Sequence, residues 1–201
     1  MPRIFLRAAA AALALATTAL ASGAVTKGQV LEAIRTFEAG ALGSLTTPKS
    51  TEDAAAAVAR ASNTVMKYAL ESDDVVVDLG SNSVPWCDVK KGPSGLPNPG
   101  ERGLLLAAYV SGCVKAQLQA GKQDPNPLAG WVAMLRVYRA LRVREGIRIP
   151  EIEELLARQM NGSLEAYAAV ALGRSNENLR REYGASGAPY RQELPPLASQ
   201  P

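Results

Sequence analysis

The chain has 201 residues, 47% of them hydrophobic and 20% charged, with a formal net charge of +3, no histidine and two cysteines. The missing histidine excludes Ser-His and Cys-His catalytic pairs and removes both the commonest general base and the commonest zinc ligand. Two cysteines cannot close a Cys-rich zinc site, so any chemistry must use carboxylates, Lys, Arg, Tyr or Ser, and no metal or cofactor is expected.

The first residues, MPRIFLRAAAAALALATTALASGAVT, follow the three-part pattern of an export signal. Arg3 and Arg7 form the positive end, Ala8 to about Leu20 the apolar run, and Ala19-Leu20-Ala21 the small-residue cleavage site. The run is short and alanine-rich, whereas a stable membrane span needs about 20 strongly apolar residues. Cleavage after Ala21 leaves about 180 residues, enough for one domain. It also removes Arg3 and Arg7, taking the formal charge from +3 to +1. So small a charge does not supply the field that non-specific nucleic-acid binding requires. The expected location is therefore outside the cytoplasm, periplasmic or secreted.

The exported part opens with Thr26-Lys27-Gly28-Gln29, which fits a capping box. Val30, Ile34, Phe37 and Ala41 follow at helical spacing, with Gly40 and Gly43 expected to end the helix. Ser50-Thr51-Glu52-Asp53 announces a second helix, with Val58, Val65 and Ala69 on one stripe, ended by Asp73 and Asp74. Val75 to Leu79 has strand composition but finds no partner strand. From Gly80 to Gly103 the sequence is Gly- and Pro-rich, a long loop of the kind that is usually functional or pinned.

A third helix is expected over LLLAAYVSGCVKAQLQAG, with Leu106, Val110, Cys113 and Gln117 or Leu118 along its length. After the turn KQDPNP, a fourth carries Trp131, Leu135 and Tyr138 on one face and Arg136, Arg139 and Arg142 in a stripe. Pro150 opens a fifth with acids in its first turn, as the helix dipole favours, and Ser163 is positioned to cap a sixth through LEAYAAVAL. Beyond Gly173 the composition turns polar, with a short helix near Asn176–Tyr183 as an option. The fold class expected is all-α: a compact bundle or stacked helical hairpins of about five to six helices, with one long loop at 80–103 and at most a short isolated β segment at 75–79. The expected domains are a signal peptide at 1–21, a single helical domain at 22–173 and a mostly flexible tail at 174–201.

Several groupings invite a chemical reading. Asp78-Leu79-Gly80-Ser81-Asn82-Ser83 resembles the first phosphate loop of the exopolyphosphatase and actin-like ATPase superfamily. That resemblance implies a metal-side Asp78, with Gly80, Ser81, Asn82 and Ser83 lining phosphates. In that family the loop returns at once into a second strand, whereas here Val84-Pro85-Trp86 follows and Pro85 has no amide to give a ladder. Glu71, Asp73, Asp74 and Asp78 are spaced unlike an EF-hand loop. Glu151, Glu153 and Glu154 sit where acids simply stabilise a helix start. Asp78, Asp88 and Glu101 are candidates for a hydrolytic carboxylate set if they converge.

Cys87 and Cys113 form an even pair in an exported chain, and a disulfide between them would close about 27 residues, worth about 3 kcal/mol in the chain-entropy model. Two buried free thiols are the alternative. Trp86 is either a surface anchor for a partner or a core plug, and Arg136, Arg139 and Arg142 either bind an anionic partner or pair with the acidic helix that follows.

The functional expectation is a non-enzymatic interaction or scaffold module of a bacterial-type envelope, partnered by another envelope protein or polymer. A carboxylate-dependent hydrolase of envelope polymers is the second reading, and a small-ligand carrier with a cavity between helices three and four is the third. Export of the full chain should yield a mature protein whose N-terminal residue is Ser22 by N-terminal sequencing; recovery of the uncleaved chain alone would refute the signal.

Overall fold

The structure, a computed structural model, describes residues 24–46, 52–87 and 99–183. Among these there are six α-helices and no strand: α1 Lys27–Thr46, α2 Glu52–Glu71, α3 Pro99–Ala120, α4 Leu128–Glu145, α5 Pro150–Met160 and α6 Leu164–Tyr183. A single 3-10 turn covers Pro85–Cys87. The all-α bundle expected from periodicity is the fold. The signal segment 1–21, Asp88 and residues 184–201 of the expected tail lie outside the described residues. None of the described helices is long and apolar enough to cross a membrane.

Two antiparallel hairpins, α1–α2 and α3–α4, pack together, and α5 and α6 add on against α4. Local signals set the helix starts. The capping box at Thr26 is formed: the Gln29 N–H donates to Thr26 Oγ1 at 3.3 Å, and the Thr26 N–H to Gln29 Oε1 at 2.9 Å. Asp124 and Asn126 turn the chain between α3 and α4 by accepting the N–H groups of Asn126 and Leu128. Pro150 occupies the first turn of α5, where its missing N–H costs nothing.

The apolar stripe of α1 is buried as its spacing predicts, at Val30, Ile34, Phe37 and Ala41. On α2 the inward stripe is rotated to Ala61, Val65 and Tyr68, leaving Val58 and Ala69 half-buried. Helix α3 is buried on nearly every side from Leu105 to Val114, which makes it the central helix of the bundle.

Three boundaries differ from expectation. Helix α1 continues through Gly40 and Gly43 to Thr46. Gly40 is there for packing: a Cβ on it would come within 2.5 Å of the Val58 side chain, so its bare backbone lets α2 approach. Helix α3 begins at Pro99, five residues before Leu104, which shortens the long loop. Helix α6 runs past Gly173 to Tyr183, and Ser175 is buried against the bundle, so the helical body extends beyond the expected boundary at residue 173.

Helices α3 and α4 meet through reciprocal glycines. A Cβ at Gly112 would lie 2.4 Å from the Ala129 carbonyl oxygen, and one at Gly130 would lie 2.5 Å from the Tyr109 ring and 2.6 Å from Cys113 Sγ. Ala normally stabilises a helix interior by about 1 kcal/mol over Gly. At Gly112 and Gly130 the sign should invert, with Gly112→Ala and Gly130→Ala each losing about 1–3 kcal/mol through overpacking. Gly173→Ala, which would meet nothing within 4 Å, should gain stability. Urea unfolding midpoints of the three variants check the pattern, and a neutral or stabilising Gly112→Ala would refute the crossing.

Candidate functional site

The residues around Asp78 show what the strand-like segment does. Residues 75–79 are extended with no partner strand, and α3 supplies their hydrogen bonds instead. The Gln117 amide acts as a surrogate peptide group: its Oε1 accepts the Val76 N–H at 2.9 Å, and its Nε2 donates to the Val76 carbonyl at 2.9 Å. The same Oε1 accepts the Asp124 N–H at 3.1 Å, fastening the α3–α4 turn. About two turns earlier on the helix, the Tyr109 hydroxyl donates to the Asp78 carbonyl at 2.9 Å.

Past Asp78 the chain closes on itself. Asp78 Oδ1 accepts the Gly80 N–H at 2.8 Å and Oδ2 the Ser83 hydroxyl at 2.6 Å, while the Ser83 and Val84 amides both donate to the Gly80 carbonyl. The phosphate-loop resemblance therefore fails in this fold. No strand leads into or out of the turn among the described residues, its Gly80 amide is spent on the Asp78 carboxylate and its Ser83 and Val84 amides on the Gly80 carbonyl, and that carboxylate sits where an anion would have to go. A nest must present unspent amides to an anion.

The turn is bolted to the core by Trp131, whose indole N–H donates to the Ser83 carbonyl at 2.7 Å, and by Trp86, whose ring meets Tyr109 edge-on at 5.9 Å. Trp86 is 1% exposed. It is the core plug of the two expected roles, and its ring is not available to a partner.

Cys87 and Cys113 are both free thiols, so the expected disulfide is not formed. Cys113 packs at the α3–α4 crossing against Gly130, whereas Cys87 ends the 3-10 turn within the field of Arg102. Arg102 and Cys113 lie eleven positions apart on α3, about 16 Å along a helix axis. Burial pushes the Cys87 thiol up to about 11 and the Cys113 thiol up to about 12, far from nucleophilic thiolates.

Among the described residues the remaining acids form no group of three or more metal-ligating side chains, and Asp88 lies outside those residues. Asp74 is held below the usual carboxylate range by its hydrogen bonds from Lys27, then from Tyr68. Glu153 accepts the Tyr138 hydroxyl at 2.7 Å and pairs with Arg142 at 3.1 Å and Arg148 at 3.4 Å, while Glu154 pairs with Arg158. The Tyr138 hydroxyl in turn accepts the buried Ile149 N–H at 2.9 Å, and burial pushes its own ionisation up to about 12.

The arginine stripe divides. Arg142 pairs with Glu153 and Arg139 donates to Gln159 at 2.9 Å, both toward α5 as the structural reading of the stripe has it. Arg136 points elsewhere. It is exposed, has no hydrogen-bond or ionic partner among the described residues, and lines a cleft of about 80 Å³ where α1 crosses α3 and α4. Phe37, Leu42 and Val137 give that cleft its apolar wall. Glu38 lines it as well, pinned by both carboxylate oxygens to Lys115 Nζ at 2.9 and 2.8 Å.

Small residues at Ala108, Ser111 and Ala133 leave the space open. Ser111 is 1% exposed and its hydroxyl has no partner among the described residues, although a helical serine has its i−4 carbonyl within easy reach. Sequence reading missed Ser111 because a serine in an apolar helix resembles a satisfied core residue. The chain matches no family model, and no curated protein or solved structure shows significant similarity to it.

Burial raises the two thiols and Tyr138, and Tyr109 with them, so the fold should weaken in alkali. Their folded-state values lie above the ordinary 9.0 and 10.0, so the unfolded chain releases protons that the folded chain retains. Stability should hold up to about pH 9 and fall as pH rises toward 12. Urea midpoints at stepped pH check this, and Ellman's reagent should leave Cys113 unmodified at pH 8 until denaturant is added.

Proposed function

We propose that the chain is exported, is processed after Ala21, and works as a non-enzymatic interaction or scaffold module in a bacterial-type envelope. The observation that carries this reading is Arg136. Of the three stripe arginines it alone is unengaged among the described residues, and it stands over a cleft in which an apolar wall, a buried unpaired hydroxyl and an exposed cation meet. Such a combination of apolar surface with a few convergent polar groups is how binding sites are built.

The groups that catalysis would draw on are committed to holding the fold. Asp78 is engaged by Gly80 and Ser83, Glu153 by Tyr138 and two arginines, Cys113 is buried, half-buried Cys87 is raised with it, and both thiols stay protonated. Of the acids the hydrolase reading draws on, Asp78 has both carboxylate oxygens taken up by its own turn, Glu101 sits in the first turn of α3, and Asp88 lies outside the described residues. The long loop 80–103, of the kind that is usually functional or pinned, is described only at its base and at the start of α3. That base is rigidly fastened through Trp86, Ser83 and Trp131.

Capture from envelope extract tests the proposal. The wild-type chain and Arg174→Glu, a control with the same charge change on exposed α6, should recover the same specific partner, and Arg136→Glu should lose most of it. Equal recovery by all three would overturn the assignment of this surface.

A further inference from the structure

We infer that the cleft between α1, α3 and α4 is a binding site for a carboxylate carried on a short aliphatic chain. The inference rests on the reading of this cleft as the binding surface and adds the chemistry of what enters it.

The argument starts from Ser111. A buried hydroxyl without a partner costs about 1–3 kcal/mol, and native proteins seldom leave one so. Ser111 is 1% exposed, unpaired among the described residues, and lines the cleft, so it offers a donor to whatever occupies the space. Arg136 is exposed at the same cleft and has no ionic partner among the described residues. A guanidinium fork and a hydroxyl donor on residues lining one small space match a carboxylate, which is acceptor-only when ionised.

Charge selects in the same direction. Glu38 is neutralised by Lys115 at 2.8 Å, so the cleft retains one net positive charge, from Arg136. A cationic ligand would face that charge with its own, and a neutral amide would leave the guanidinium without a counter-charge. Phe37, Leu42 and Val137 supply an apolar wall for the remainder of the ligand. Size sets the limit. A volume of about 80 Å³ accommodates about five to eight heavy atoms, at about 10–15 Å³ of such space per water-sized group. That is the size of butyrate, or of the last residue of a peptide with a small aliphatic side chain. So few atoms give roughly millimolar affinity for the isolated acid.

The test uses the full exported chain, isotope-labelled and followed by NMR, with butyrate, butyramide and butylamine as probes. Two further arms are a tripeptide ending in valine with a free carboxylate and the same tripeptide amidated. Butyrate should give saturable shifts at the amides of Ser111, Ala133 and Arg136, with the amide and the amine at least tenfold weaker. Ser111→Ala and Arg136→Gln should each weaken butyrate by about tenfold while leaving the thermal midpoint within a few degrees. Tighter binding of the free-acid peptide than of butyrate would assign the carboxylate to a chain end of a protein partner; butyrate binding alone would assign it to a small metabolite.

Equal binding of butyrate and butyramide, no saturable shift, or butyrate binding unchanged in Arg136→Gln would each overturn the inference. The two claims fail separately. Partner capture that depends on Arg136 without any carboxylate binding would sink this inference alone, and carboxylate binding without Arg136-dependent capture would sink the interaction-module reading alone.

Discussion

An extended backbone inside a helical protein has to find hydrogen bonds that no neighbouring strand offers, and the Gln117 amide meets that constraint here. It presents one donor and one acceptor to Val76 in the geometry a peptide group would use. An unpaired buried amide or carbonyl costs more than the bond itself gains. The segment 75–79 therefore lies where α3 can serve it, and Tyr109 does the same for Asp78. From that attachment the Asp78–Ser83 turn, the Trp131 bond and the Trp86 plug follow in order, each locating the next on the α3–α4 pair.

The α3–α4 pair can carry this load because its helices are unusually close. Gly112 and Gly130 remove the side chains that would hold the backbones apart, so Tyr109 and Cys113 reach across onto α4. The same small-residue surface that brings α3 onto α4 continues to Ser111, Ala108 and Ala133, where α1 does not fill the remaining space. The cleft is thus a by-product of close helix packing. What distinguishes it from an ordinary packing defect is its polarity. A dry apolar void needs no occupant, whereas a buried hydroxyl beside an unengaged guanidinium does.

The chain also shows how structural duty withdraws side chains from chemistry. Asp78, Glu153 and Asp74 are the acids that a reader of the sequence would examine first, and each is bonded to two or more partners of its own fold. Cys87 and Cys113 are close enough in sequence to bridge, yet both are free thiols, Cys113 at the α3–α4 crossing against Gly130 and Cys87 at the end of the 3-10 turn in the field of Arg102. Arg139 and Arg142 clamp α5 to α4 and so keep Tyr138 in position to accept the Ile149 N–H. Arg136, one helical step earlier, faces α1 instead of α5 and stays unengaged.

Periodicity and capping by themselves determined the six helices, because apolar residues at Val30, Ile34, Phe37 and Ala41 or at Trp131, Leu135 and Tyr138 share a face only in a helix. They also determined the start of α1, since the capping box is a local contact between Thr26 and Gln29. Only the tertiary structure decided where glycine stops a helix and where it serves a neighbour. Gly40 and Gly173 carry the same local propensity as a terminator, and the packing partner that keeps Gly40 helical, Val58, lies far along the chain. The role of Gln117 and the free state of both thiols were likewise beyond local pattern, because each depends on the level at which two distant segments meet. Arg136 was legible as one of three, and its separation from Arg139 and Arg142 came from where α1 and α5 each pack along α4. Ser111 was not legible at all: a hydroxyl's lack of a partner is a property of the space around it, and that space exists only once three helices have packed.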